Sequence, residues 1–263
     1  MTQTTRLLGL DFANLDTCEA ARWIAVRPER GHFGYIVTPN ADHLVRLARQ
    51  PVLRPLYDGA SLRLLDSRVV AAAARGLCLS VPKVTTGSDL TACLLSEHLC
   101  PGERVTIVGL SPRHLPALVA RCGLHHPAHY DPPRGFERDP VAFQQAVDFV
   151  LAHPARFVFL AVGSPRQEML AAAIQASGAA TGTGLCIGAS LEFLAGAAPR
   201  APLWMRRGGL EWLHRLLSDP RRLAPRYLLD NPPIFAMLLR ERFAPDLLAL
   251  IASRCPAYSA KKA

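Results

Sequence analysis

No run of apolar residues in this chain comes near the roughly 18 that suggest a membrane span, although half of its 263 residues are hydrophobic. The opening "MTQTTRLLGLDFANLD" lacks the charged-then-apolar pattern of a signal peptide. Both absences point to a cytoplasmic chain that is soluble or rests on a membrane surface. C-x-x-C pairs are missing too, and the seven cysteines are odd in number and scattered, which suits reduced thiols better than a disulfide framework. Most read as small core residues. Cys122, His125, His126 and His129 crowd one segment without H-E-x-x-H or paired-cysteine spacing, so a surface loop is preferred there to a metal site. "TGTGLCIG" (181–188) is glycine-rich, yet its last glycine falls one position late for G-x-G-x-x-G, and no acidic residue follows at ribose-binding distance. A dinucleotide site is not expected. Nor is there a D-x-D pair to hold a divalent cation against a nucleotide diphosphate. If the substrate is such a diphosphate, arginines and backbone N–H groups must meet its leaving charge.

What the chain does have is positive charge and a regular alternation. Its 30 Lys and Arg against 21 Asp and Glu leave a formal charge of +9, a balance that favours nucleotides, nucleic acid or anionic lipid as partners. From Tyr35 onward, short apolar runs precede helical patterns: "YIVTP" before "NADHLVRLARQ", "SLRLLD" before "SRVVAAAARG", "RVTIVGL" before "SPRHLPALVARC", and "RFVFLAVG" before "SPRQEMLAAAIQAS". Strands apolar nearly throughout belong in a mainly parallel sheet covered on both faces. Asn40, Ser67, Ser111 and Ser164 stand at N-cap positions. The fold class is α/β, doubly wound, over residues 1–198. Ligands of such sheets bind beyond the carboxyl ends of the strands. Thr38, Asn40, Asp66, Gly109 and the Gly163–Gln167 turn are therefore placed on one rim.

After about Gly196 the alternation gives way to helices separated by prolines 199, 202, 220, 225, 232, 233 and 245, and residues 199–263 form a basic helical appendage. The stretch 200–228 sets seven arginines among Trp204, Trp212, Tyr227 and a line of leucines. Arg207, Glu211 and Arg215 fall at four-residue spacing on one exposed helical face, with Leu210, Leu213 and Leu217 opposite. A solvated face with snorkelling stems is the plain reading. Rings beside guanidinium groups on an amphipathic helix also suit an anionic membrane surface. "PPIFAMLLRERFAPDLLALIAS" is apolar but broken by Arg240, Glu241, Arg242 and Pro245, which favours a packed or interfacial helix pair over a span.

Asp66 ends an apolar strand, where its carboxylate can face the pocket as a general base of raised pKa or serve only a helix start. Thr38 and Asn40 are likewise substrate contacts or caps. "TTGSDL", with Gly87, Ser88 and Asp89, and "VGSPRQE", with Gly163, Pro165, Gln167 and Glu168, set small residues before a helix, where N–H groups and the dipole suit a phosphate. Ordinary βα turns look similar.

Taken in order, "VTPNADHLV" (37–45), Asp66, "PKVTTGSDL" (82–90), "VGSPRQE" (162–168), "FLAGAAPRAPLW" (193–204) and "GLEWLHRLLSDPRRLAPRYL" (209–228) resemble the bacterial WecG/TagA/CpsF glycosyltransferases, glycosyltransferase family 26. The resemblance implies a Rossmann-like domain whose C-terminal appendage completes the site and docks on the cytoplasmic face of the plasma membrane. It implies an inverting transfer, without metal or other cofactor, of N-acetylmannosamine or a related hexose from a UDP-sugar to a polyprenyl-diphosphate-linked saccharide. Under it Asp66 is the catalytic base, Thr38 and Asn40 are the pocket pair, and Gln167 is the polar residue of the turn. Lys83 stands where the family usually has arginine. Arg200, Arg215, Arg221, Arg222 and Arg226 are the arginines of the diphosphate-binding or membrane-contacting pattern. Ser67 for the usual glycine after the base, Lys83, and Glu192 for the usual aspartate leave the donor sugar open, a UDP-glucose-type transfer in exopolysaccharide assembly included. Self-association is compatible with the sequence. A nucleic-acid-binding module is disfavoured, because the cations gather in a leucine-rich tail and no DNA- or RNA-reading motif occurs. A catalytically silent membrane adaptor remains the rival if Asp66 is dispensable.

Overall fold

The computed structural model describes residues 2–28 and 31–244. Six parallel strands form the central sheet: β3 (Gly34–Val37), β4 (Leu62–Arg63), β5 (Val105–Gly109), β6 (Ala128–Tyr130), β7 (Phe157–Ala161) and β8 (Thr183–Cys186), in the order β4-β3-β8-β7-β5-β6. A small antiparallel hairpin, β1 (Thr4–Leu7) and β2 (Leu10–Ala13), precedes it.

The two-residue period of the strands divides the interior in two. Tyr35, Val37, Val108, Val158, Leu160 and Cys186 point into one layer, covered by helices Ala41–Arg49, Arg68–Gly76, Pro140–Ala152 and Arg166–Ala176. Ile36, Val105, Ile107, Phe157, Phe159 and Leu185 point into the other, under helices Thr17–Ala25, Gly87–Cys93, Leu115–Cys122 and Ser190–Ala195. The arrangement is a doubly wound, Rossmann-like α/β fold. From β3 the chain steps outward to β4, crosses to β5 and β6, and returns through β7 to β8, which pairs with β3. The crevice beyond the carboxyl ends of β3, β4 and β8 is where the winding reverses.

Some expectations need correction. "TGTGLCIG" contains β8, a central strand: a Cβ on Gly184 would sit 2.5 Å from the Phe33 ring, so glycine there makes room for an aromatic. Asn40 and Ser67 do cap their helices, Asn40 accepting from the Asp42 and His43 N–H groups and Ser67 from that of Val70. Ser111 and Ser164 make no side-chain cap. Arg207, Glu211 and Arg215 do not share a helix, because the chain breaks at Gly208 and Gly209 (φ +74°) between helices Leu203–Arg207 and Glu211–Ser218; the Arg207 side chain lies outside what is described. Glu211 and Arg215 are half-buried, whereas Leu217 is exposed.

Among the described residues, helices Leu203–Arg207, Glu211–Ser218 and Pro220–Pro225, the π turn Arg226–Asp230 and helix Pro233–Phe243 make up the appendage. Its last helix is integral to the main fold: Ile234 and Leu238 enter the same core layer as Tyr35, and the Leu8 N–H donates to Glu241 at 2.7 Å. The continuation into "PDLLALIAS" lies outside the described residues. Among the described residues, no helix is long and apolar enough to cross a membrane.

Candidate active site

Asp66 is set in place by its backbone. Its N–H donates to the Pro39 carbonyl at 3.0 Å, and Thr85 N–H donates to the Leu65 carbonyl at 2.9 Å, so the ends of β3, β4 and the 84–86 segment are drawn together. Asp66 Oδ2 accepts from Gly87 N–H at 3.1 Å, at the start of a helix capped by Thr86. A Cβ on Gly87 would lie 3.0 Å from Thr38 Oγ1 and 3.7 Å from Asp66 Oδ2, so glycine allows this close approach. Burial pushes the Asp66 carboxyl up to about 7; the Gly87 N–H and Arg215 oppose that rise, while Glu211 and Asp89 add to it. A carboxylate poised near neutrality and open to a cavity has the properties of a general base.

The cavity, about 230 Å³, lies between this rim and the appendage. Asn40, Asp66 and Thr86 line the core side; Arg206, Arg215 and Arg226, with Glu211 and the edge-to-face pair Trp212–Tyr227, line the other. Each arginine is tethered. Arg215 pairs with Glu211 at 2.8 Å and lies over the Phe193 ring at 4.7 Å. Arg226 reaches Asp42 at 3.2 Å; Asp42 also holds Arg46, which donates to Ser164 Oγ at 3.1 Å. Arg206 and Arg200 both pair with Asp89 Oδ1. Burial alone would raise the Asp89 carboxyl, but Arg200, Thr86 and Arg206 together hold it below the usual range. The Nε atoms of Arg200, Arg206, Arg215 and Arg226 are buried and have no hydrogen-bond partner. Three of these arginines, Arg206, Arg215 and Arg226, line the cavity, and their positive charge there favours an anion. His43, forced neutral by burial and then by Arg46 and Arg226, with its pKa lowered to about 3, accepts the Asn40 N–H at 3.1 Å and steadies that residue.

The sequence-derived candidates separate into groups. Asp66, Asn40, Arg215 and Arg226 line the cavity. Thr38 lies just below, its Oγ1 donating to the Cys186 carbonyl at 3.4 Å, and Ser88 meets Ser190 at 3.3 Å. Asp89 and Arg200 brace the roof. Gly163 and Pro165 lead into Gln167, whose Oε1 accepts the Gly188 N–H at 2.9 Å and whose amide donates to the buried Glu168; this turn supports the end of β8 and does not line the cavity.

Four candidates lie away from the cavity. Gly109 ends β5, away from the crevice, packed on the Ala161 backbone in a left-handed conformation (φ +93°). Lys83 is exposed and bound to Glu19 at 2.8 Å and Asp16 at 3.4 Å, because the segment before Thr85 turns outward. Arg221 and Arg222 are exposed on the outer side of the appendage, Arg222 paired with Asp219 at 2.6 Å. Lys83→Ala is expected to leave catalytic turnover at the parent rate; a steady-state assay checks this. Sequence reasoning missed Arg206, Glu211, Trp212, Tyr227 and the Asp42–Arg46 pair. Asp42 and Arg46 sit in and just past "PNADHLV", but nothing local says they face Arg226. His129, set aside as a metal ligand, has its ring Nε2 at the Gly109 and Leu110 carbonyls.

In this doubly wound α/β domain a buried carboxylate lies across a cavity from three arginines, an arrangement with the chemistry to hold a phosphate-bearing ligand. The sequence model described as the glycosyl transferase WecG/TagA/CpsF family matches residues 5–247, and the chain belongs to that family. It is therefore a glycosyltransferase of cell-surface polysaccharide synthesis, a class that takes a sugar-nucleotide donor and a lipid-linked acceptor. The match runs through the appendage, so the arginine-bearing helices are part of the family's unit.

Proposed function

We propose that the chain moves a hexose, N-acetylmannosamine or a close relative, from a UDP-sugar to a polyprenyl-diphosphate-linked saccharide, inverting the anomeric centre and using no metal. Asp66 takes the proton of the acceptor hydroxyl as that oxygen bonds to the anomeric carbon. The bond from that carbon to the β-phosphate oxygen breaks, and its electron pair leaves with UDP. A positioned base contributes ~10²–10⁴-fold. Arg206, Arg215 and Arg226 supply positive charge to the departing diphosphate, a role a divalent cation fills elsewhere. The observation that carries this reading is the position of Asp66 across one cavity from those three arginines.

Membrane docking belongs to the same reading. Trp204, Leu217, Leu228, Leu229 and Phe243 are exposed on the appendage, beside exposed Arg221 and Arg222. Trp212 and Tyr227 take no part, since they face the cavity. Burying one leucine stabilises by about 1.5–3 kcal/mol, so Leu228→Glu with Leu229→Glu should lower partition onto vesicles containing anionic lipid by about tenfold or more, measured by flotation. Partition equal to the parent's would contradict this face. The activity is tested by incubating the protein, in chelator, with a panel of UDP-hexoses and a short-chain lipid-diphosphate saccharide, then weighing the products. A gain of one hexose with release of UDP is expected. Transfer from none of the donors, or transfer abolished by chelator, would overturn the proposal.

A further inference from the structure

Away from the cavity, three metal-ligating side chains meet at the far end of the helix that holds the base. Helix Gly87–Cys93 continues into a π-helical turn, Leu94–His98. Such turns are rare and occur mostly singly, often at functional sites. In an α-helix, residue 98 would lie about 140° around the axis from residue 93; the wider π turn brings the two into line. The Cys93 thiol, a Glu97 carboxylate oxygen and a His98 ring nitrogen all lie within 4.8 Å of one another. Cys93 is buried, and the thiol of Cys18, from the first turn of helix Thr17–Ala25, lies beside it. Among the described residues, no other three such side chains converge.

We propose that Cys93, Glu97 and His98 form a binding site for a divalent cation of the zinc class, with Cys18 or water completing four-coordination. A thiol and an imidazole select a borderline-soft ion over magnesium or calcium. On binding, the Cys93 thiol gives its proton to solvent and its sulfur bonds to the ion. The site is structural. With Cys18 as the fourth ligand it ties helix Thr17–Ala25 to helix Gly87–Cys93, whose first turn donates to Asp66 and carries Asp89, the anchor of Arg200 and Arg206. It touches no residue of the cavity, so sugar transfer proceeds without the ion while the loaded protein melts at a higher temperature.

The test is a titration of the reduced, full-length protein with Co²⁺, followed by displacement with Zn²⁺. One equivalent of Co²⁺ should produce a thiolate-to-cobalt charge-transfer band and the strong visible bands of tetrahedral coordination. Cys93→Ser should diminish the charge-transfer band, and Glu97→Gln and His98→Gln should each weaken binding by about tenfold or more. Cys122→Ser should change nothing. Glu97 is exposed, so its variant keeps the parent fold even if Cys93→Ser does not. Absence of stoichiometric binding, binding without a sulfur band, or parent affinity in both the Glu97 and His98 variants would overturn the site.

Discussion

Asp66→Asn should lower the turnover of sugar transfer by ~10²–10⁴-fold and, at the same time, raise the protein's melting temperature above neutral pH. Asparagine keeps the shape and can still accept the Gly87 N–H, but it cannot take a proton from the acceptor hydroxyl. The stability effect has the opposite sign because the native fold holds this carboxyl at about 7 against an ordinary 3.8. Between those values the folded chain binds more protons than the unfolded one, so stability falls as pH rises from about 4 to about 7 and stays lowered above. At about 1.4 kcal/mol per pKa unit the penalty at pH 8 has an upper bound of about 4 kcal/mol, and the asparagine variant escapes it. Melting curves of both proteins at pH 5 and pH 8 read the difference: the variant's advantage should widen with pH. A variant that is inactive and less stable at pH 8 would show that Asp66 is a structural cap.

Arg215→Ala carries the second large effect. Removal of one preorganised donor from a developing oxyanion costs ~10²–10³ in kcat, and Arg215 has no substitute at its place over Phe193. The loss should fall on kcat more than on KM, because the diphosphate charge grows as the bond breaks. A companion effect follows from Arg215 holding down the Asp66 carboxyl: without it, the pH at which activity is half-maximal should move upward. Arg215→Lys should restore the pH midpoint better than the rate, since an ammonium keeps the charge but not the planar fork. A loss confined to KM would assign Arg215 to ground-state binding alone.

Local chemistry made part of this site legible. Strand β7 is apolar throughout and β5 nearly so, and the sheet, its rim and the place of Asp66 just past β4 follow from that pattern and from the caps at Asn40 and Ser67. Strand β8 escaped because Thr183 and Gly184 look like a loop until the Phe33 ring is seen to need the space. The appendage was harder. Periodicity placed Arg207, Glu211 and Arg215 on one face because it takes the helix as continuous, whereas the left-handed Gly209 turns the chain and sends Glu211 and Arg215 inward. Which arginines reach the cavity depends on carboxylates far away in sequence, Asp42 for Arg226 and Asp89 for Arg206. Spacing says nothing about such pairs, and so Arg206 was missed.

Proton transfer to Asp66 beneath the arginine roof is measured most directly by the pH dependence of kcat/KM for hexose transfer, recorded for the parent and for Asp66→Asn. The parent should show a rising limb with a midpoint about 7, and the variant a low, flat profile without that limb. A parent profile flat from pH 5 to pH 9, or a variant that keeps both the limb and the rate, would contradict the account.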